Sequence, residues 1–397
     1  VTGMFGSDSA LTAITGVGHA SIAQTTAAGT RQTTSGDRVE AHFAAAMTTG
    51  SASAGHNAAD QIQSATVEGH VVLVQQPEAK AGAAAPSTLR ATAERAVYEG
   101  AGELLHLTGS PRVDDEGLQL TADRIDVSQA SGDAFAHGDV KATWLGGGAA
   151  SEGKAARSQA GQESMVLGGQ GPAHAIADEA QFRQSTGEAI FTGQARLWQQ
   201  ANSIAAPMIV LDRTQQTLVA HSKGAREPVR VVLLSAASPA AGKSGKSRAP
   251  SVIRVSGGDL RYSAGERTAV IRSGAAGRVV AETAEATTSS AEVVLILSPP
   301  GNHASRDGAT AQVDRLTARG HVEVTSGDRR GTGEELVYTG STDEYVLTGT
   351  ATVPSKLTDL ARGTVTGEAL IFNSRDDSVS IEGGGQKTTT VTSVKKK

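Results

Sequence analysis

Leu118-Gln-Leu-Thr-Ala-Asp-Arg-Ile-Asp-Val127, followed by Gly132-Asp-Ala-Phe-Ala-His-Gly-Asp-Val-Lys-Ala-Thr-Trp144, decides the fold. In the first stretch Leu118, Leu120 and Ala122 share one face of an extended chain. Ile125 and Val127 share a face only after a phase shift, which predicts a bulge or corner between them. The second stretch returns as Gly187-Glu-Ala-Ile-Phe-Thr-Gly-Gln-Ala-Arg-Leu-Trp198. A further copy runs Ala318-Arg-Gly-His-Val-Glu-Val324, Gly333-Glu-Glu-Leu-Val-Tyr338 and Tyr345-Val-Leu-Thr-Gly349. Hairpin-sized units repeated in this way predict a stacked, all-β architecture acting through an extended surface or groove.

The rest of the chain is consistent with that reading. Val71–Val74, Leu104–Leu107, Val229–Leu234 and Val293–Leu297 are short strand-like runs, and many such runs alternate at period two. Ala91–Tyr98 is read as a strand, like its repeat-mates. Ser131-Gly-Asp133, Ser185-Thr-Gly187, Ser326-Gly-Asp328 and Ser341-Thr-Asp343 are turn phrases. The repeat glycines Gly69, Gly138, Gly193 and Gly320 recur at uneven intervals, which favours hairpin pairs with variable loops over a solenoid with fixed rungs. Stretches 44–59, 76–87 and 149–171 read as loops or insertions. The organisation expected is a β-jellyroll region over 1–235, a low-complexity linker over 236–250, a second β-jellyroll region over 251–385, and a flexible basic tail over 386–397.

Composition narrows the function. Of 397 residues, 38% are hydrophobic and 3% aromatic, with 47 glycines and 11 prolines. That suits many short strands joined by turns rather than a thick core. Cysteine is absent, which removes disulfide and thiol chemistry. A net charge of −5 spread over both signs offers no basic face for nucleic acid. No run reaches the ~18 apolar residues that a membrane-spanning helix needs.

Motifs for catalysis are weak. His70, His137 and His321 sit beside repeat glycines, where a turn role explains them. His19, His42, His56, His106, His174, His221 and His303 are scattered, with no metal-ligand spacing. Gly242-Lys-Ser-Gly-Lys-Ser247 has alanine at 240 where a phosphate loop needs glycine. Gly331-Thr-Gly333 lacks the third glycine of a dinucleotide fingerprint. Asp114-Asp115 and Asp376-Asp377 read as turn carboxylates. Trp144 and Trp198 follow Gly138 and Gly193 at similar distances, which points to a shared place near a strand end, with a sugar-contacting platform as the alternative. No enzyme, metal or cofactor is expected.

In their order these phrases resemble the OstA/LptA-like family of periplasmic lipopolysaccharide-transport proteins. The matching residues are Leu120-Thr-Ala-Asp-Arg-Ile125 with Ala136-His-Gly-Asp-Val140, then Gly320-His-Val322, Gly333–Tyr338, Tyr345–Gly349, Val353-Pro354 and Gly367-Glu-Ala-Leu-Ile-Phe372. Residues 1–75 match faintly, through Gly18–Ile22 and Gly36–Ala41. The resemblance implies an elongated, open β-jellyroll in the periplasm whose interior shelters lipid acyl chains. It also implies partners: lipopolysaccharide or a related lipid, and LptC-like and LptD-like jellyrolls or further copies of the chain, joined by end-to-end strand addition. Residues 11–22 and 365–383 are the candidate terminal strands. Whether the chain is a free bridge or anchored to the inner membrane is a question for the residues upstream of Val1.

A lipid carrier needs a dry wall, and alternate side chains of many strands supply one at ~25 cal/mol per Å² of hydrocarbon buried. The expected lining is Leu105, Leu107, Leu118, Leu120, Ile125, Val127, Phe135, Val140, Ile190, Leu197, Ile253, Val255, Leu260, Tyr262, Val322, Val324, Leu336, Tyr338, Tyr345, Leu347, Leu370, Phe372, Val379 and Ile381, forming one continuous trough. Ala122, Ala136 and Ala142 are expected to keep that trough wide. The same alternation would build the filled core of a structural or adhesive β-repeat protein of the cell surface, and the residues leave both open. A β-helical carbohydrate enzyme would need a carboxylate cluster and more aromatic surface.

Overall fold

The computed structural model describes residues 1–6, 11–25, 31–43, 62–76, 88–100, 104–115, 117–129, 131–145, 171–235, 251–298, 312–342, 344–350, 352–360, 363–373, 378–382 and 389–391. The stretch 236–250 and almost all of the other expected loops and basic tail lie outside them. Among the described residues the secondary structure is β-strand, apart from one short 3-10 turn at Gly274–Ala276. Two compact units form, one from Val1–Ala150 with His174–Phe191 and one from Ser151–Ala173 with Thr192–Lys397.

In the first unit β1 (Thr2–Phe5), β2 (Leu11–Thr25), β3 (Arg31–Phe43), β4 (Ile62–Gln76) and β5 (Leu89–Glu99) pair antiparallel in sequence order. The ladder then divides. The C-terminal half of β5 pairs β6 (Leu104–Thr108), and its N-terminal half pairs β7 (Arg112–Asp115). β7 continues to β8 (Leu118–Thr121), and β6 to β9 (Arg124–Ser128). Both ladders end on one strand, β10 (Ala134–Trp144), which pairs β9 with His137 and the residues before it and β8 from Lys141 onward. β11 (Ala173–Arg183) follows, and β12 (Glu188–Gln199) carries the chain into the second unit.

The second unit repeats the division twice. The two ends of β13 (Asn202–Asp212) pair β14 (Thr217–His221) and β15 (Val229–Ser235). β15 leads through β16 (Val252–Gly257), and β14 through β17 (Asp259–Ser263) and β18 (Thr268–Arg272). β16 continues to β19 (Val279–Glu282) and β20 (Thr287–Ser290), and β18 to β21 (Glu292–Leu297). β22 (Gln312–Ser326) collects both, pairing β21 with its first half and β20 with its second. β23 (Arg329–Thr339) pairs β22 and divides again, into β24 (Glu344–Thr348) and β25 (Ser355–Asp359). β26 (Gly363–Gly367) extends β25, β27 (Ala369–Asn373) extends β24, and β28 (Ser378–Glu382) and β29 (Thr389–Val391) close the two ladders. The result is the antiparallel, rolled β architecture of the jellyroll class. Among the described residues one pairing is parallel, Leu234 and Ser235 of β15 against Gln312 and Val313 of β22, and it stitches one ladder to the other.

Four of the long strands are bent, and in β10 and β22 the bend falls where one ladder gives way to the other. Gly18-His19, Gly69-His70, Gly138-Asp139 and Gly320-His321 have φ of 79° and 53°, 74° and 47°, 73° and 43°, and 82° and 49°. Two consecutive left-handed residues interrupt the pairing at each point. Residues 18–19 oppose Asp37, 69–70 oppose Glu94, and 320–321 oppose Glu334. This two-against-one count is a β-bulge, which turns the strand and its twist. Glycine takes the first place because left-handed backbone costs other residues about 1–2 kcal/mol. The space its missing Cβ leaves is also used. A Cβ on Gly69 would lie 2.4 Å from Asp37 Oδ2, and one on Gly138 2.2 Å from Asp123 Oδ2. The expected corner between Ala122 and Ile125 lies opposite the β10 doublet, with the Asp123 amide donating to the carbonyls of His137 and Gly138.

The outer face holds the register electrostatically. Across β14, β17, β18, β21, β22 and β23 the paired residues are His221, Asp259, Arg272, Glu292, Arg319 and Glu335. Nitrogen–oxygen distances are 2.9 Å for His221–Asp259, 2.9 Å for Arg272–Glu292 and 2.7 Å for Arg319–Glu335.

Gly138→Ala is expected to lower the urea midpoint of unfolding, followed by circular dichroism, more than Gly18→Ala does. Both pay for left-handed backbone, but nothing lies within 4 Å of a Cβ on Gly18. Equal losses would show that the carboxylate seat contributes nothing.

Candidate functional site

The inner faces of the ladders collect most of the expected lining. Leu105, Leu107, Leu120, Ile125, Val140, Leu197, Ile253, Val255, Leu260, Tyr262, Val322, Leu336, Tyr338, Tyr345, Leu347 and Leu370 are all buried. Leu118, Val127, Val324, Phe372 and Ile381 are half-buried, and the side chain of Val379 lies outside the described set. Two expectations are corrected. Phe135 pairs with Asp126, while its neighbour Ala136 pairs with buried Ile125, so Phe135 belongs to the outer face of β10. Ile190 stands between buried Ala189 and Phe191 and faces the opposite way. In each case the strand's alternation is set by a small residue that the hydrophobic pattern undervalues.

The expected continuous trough is also corrected. Between β13 and β22 the inward side chains fill the interior: Ile204, Leu218, Val229, Leu233, Ile271 and Val293 are no more than 1% exposed. The parallel stitch between β15 and β22 closes the same stretch. Ala136 and Ala142 are 0% and 1% exposed, so these alanines bring packed layers together instead of holding a trough open.

Open space remains toward the C-terminal end of the second unit. Tyr345 and Leu347 of β24, Leu370 and Phe372 of β27, Leu357 of β25 and Val324 of β22 line a pocket enclosing about 490 Å³, part of it open to solvent. Both ladders contribute, so the pocket lies between layers. Gly331 keeps it open, since a Cβ there would come within 2.7 Å of Val324 and 2.9 Å of Leu347. Tyr338, Tyr345 and Phe372 stack along the wall, with centroids 4.7 Å and 6.0 Å apart. Arg329 is the one charged residue in the lining; its Nε lies 3.2 Å from Asp359, and its guanidinium sits 5.3 Å from the Phe372 ring. A smaller pocket, about 390 Å³, lies in the first unit among Ile22, Gln32, Ile62, Val67, Tyr98 and Leu105.

The principal polar cluster sits on the outer face of the first unit. Arg124 Nε donates to Asp126 Oδ1 at 2.7 Å, and His106 Nδ1 lies 2.7 Å from the same oxygen. His137 stands 3.5 Å from the other carboxylate oxygen. Burial works against the Asp126 charge, but the hydrogen bonds from Arg124 and His106 outweigh it and hold the carboxyl below its usual range. Among the described residues no group of histidines and carboxylates is arranged to hold a metal ion. The cluster lies across strands β6, β9 and β10, remote in role from the apolar interior, and fixes their register. Trp144 packs edge-on against Phe191 at 5.9 Å, and Trp198 takes Arg196 over its ring at 5.8 Å; both stand at strand ends.

The edges differ from expectation in detail. β1 covers the first half of β2, and β29 covers β26, both beyond the strands proposed as terminal. The paired residues of β2 from Ala20 to Thr25 meet β3 on one side only, and β28 meets β27 only, among the described residues. Val17, shortly before the first of these edges, and Met4 and Phe5 of β1 are exposed.

Three segments of the chain, 29–133, 117–217 and 268–378, match the family model described as LptA/(LptD N-terminal domain) LPS transport protein. The chain belongs to this family. Together the matches span more than half of its length. One similar solved structure is LptH from Pseudomonas aeruginosa, the LptA homologous periplasmic component of the conserved lipopolysaccharide transport device. It is 12% identical, with 45% of this chain and 82% of that one covered and a TM-score of 0.22. No curated protein matches. Membership places the chain in lipopolysaccharide transport, a periplasmic process in this family. No described helix is long and apolar enough to cross a membrane.

A carboxylate whose pKa is lower in the folded than in the unfolded state adds stability above the unfolded value and loses it as pH falls through the folded one. Asp126→Asn is therefore expected to reduce stability at neutral pH and to flatten its decline on acidification below about pH 4. Thermal melts across that range test this; an unchanged slope would remove Asp126 from the account.

Proposed function

We propose that this family member shelters acyl chains of lipopolysaccharide or a related lipid between its ladders, without catalysis, and hands them on along a bridge of jellyrolls between the inner and outer membranes. The observation that carries the reading is the C-terminal pocket. It is walled by aliphatic and aromatic side chains from two facing ladders, and its charged residue is neutralised by Asp359. Such a wall holds hydrocarbon by burial alone and imposes no directional bond that would slow release. The half-free edges at β2 and β28 suit addition of a strand from an LptC-like or LptD-like partner or from another copy.

The packed interior between β13 and β22 favours a second reading for that stretch, a structural β-repeat with no cargo. In the combined picture it is a rigid spacer, and lipid is held beyond it.

A photoreactive amino acid at Tyr345 or Leu347 is expected to crosslink lipopolysaccharide, and one at Val346, on the outer face of the same strand, is not. Equal labelling at all three would defeat the sheltering reading. Gly331→Val, which fills the pocket with a side chain, is expected to cut the Leu347 crosslink severalfold while leaving the circular dichroism spectrum unchanged.

A further inference from the structure

The first unit's pocket differs from the C-terminal one in carrying an unmet hydrogen-bonding group. On β3 the inward residues alternate as Gln32, Thr34 and Gly36 before the strand bends, and as Val39 and Ala41 after it. Gln32 is 3% exposed and Thr34 8%, and both line the pocket. The other walls are mainly apolar, among them Ile22, Ile62, Val67 and Leu105. The Gln32 carbonyl oxygen, Oε1, is buried with no hydrogen-bond partner among the described residues. A buried acceptor left unpaired costs roughly 1–3 kcal/mol, which is why native interiors almost always supply a partner. Here the residue that carries it is one of those lining the pocket, and the oxygen itself is closed off from water.

We propose that this pocket is a second lipid site and that Gln32 recognises a hydroxyl carried on the acyl chain. The hydrocarbon lies against the apolar walls, and the ligand's O–H donates to Gln32 Oε1 after a turn of the terminal carboxamide. An acyl chain without that hydroxyl leaves the oxygen unpaired and dry, so the pocket discriminates between chains of equal length. This inference rests on the sheltering function and adds a preference within it.

The test uses the full chain and a diazirine-bearing fatty acid as probe, with labelled peptides mapped by mass spectrometry. Labelling is expected within Ile62–Val67. 3-Hydroxyhexadecanoic acid is expected to suppress it at roughly tenfold lower concentration than hexadecanoic acid, the size of one well-made hydrogen bond set against an unmet acceptor. In Gln32→Met, of similar length and folded by circular dichroism, the two acids compete equally. Equal competition in the unmodified chain, the result if a water satisfies Gln32, overturns the hydroxyl preference and leaves sheltering standing. Labelling confined to the C-terminal pocket overturns the second site. Labelling nowhere overturns the sheltering reading and this inference with it.

Discussion

A doublet of left-handed residues that bends a strand is the constraint on which the rest of the molecule depends. Without it, strands as long as β10 or β22 would run straight and pair with one neighbour along their whole length. With it, β10 and β22 each give their two halves to two ladders, and the interior between those ladders comes into being. At two of the four doublets an acid fills the space the glycine leaves. Asp37 and Asp123 occupy the volume that a side chain at Gly69 or Gly138 would take. His70 on the exposed side hydrogen-bonds Asp37 at 2.8 Å, which raises the imidazole's pKa.

What the interior becomes is then settled by side-chain size. Leucine, isoleucine and Tyr262 fill the span between β13 and β22, and the inward residues there lose almost all contact with water. Alanines do the same work in the first unit by letting the layers approach. Space survives where glycine faces leucine, as at Gly331 and Leu347, and where polar residues interrupt an apolar face, as at Gln32 and Thr34. The two pockets thus follow from local exceptions to the packing rule.

The repeats made the strand class and the phase shift after Ala122 legible, because side chains that alternate at period two belong to extended chain and a break in that alternation requires a bulge. The carboxylates against the bulge glycines were not legible, since Asp37 lies in another strand than Gly69, and Asp123 lies between strands β8 and β9 while Gly138 is in β10, and only the register brings each pair together. Phe135 and Ile190 misled because a large apolar residue looks inward by default, whereas the neighbouring alanines held the inner positions. The short strands β1 and β29 carry too few residues to show a period. Gln32 was invisible for a different reason: a polar residue in a strand reads as solvent-facing until its neighbours are known.

The row of paired charges running from His221 to Glu335 has an effect at a distance. Strands stand about 4.8 Å apart, and the screening length in physiological salt is about 8 Å. From Arg272 to Glu335 positive and negative members alternate in equal number, and they therefore cancel before their potential reaches far into solution. A polyanion approaching this wall from outside meets little net field, and nothing in the row draws it to the surface.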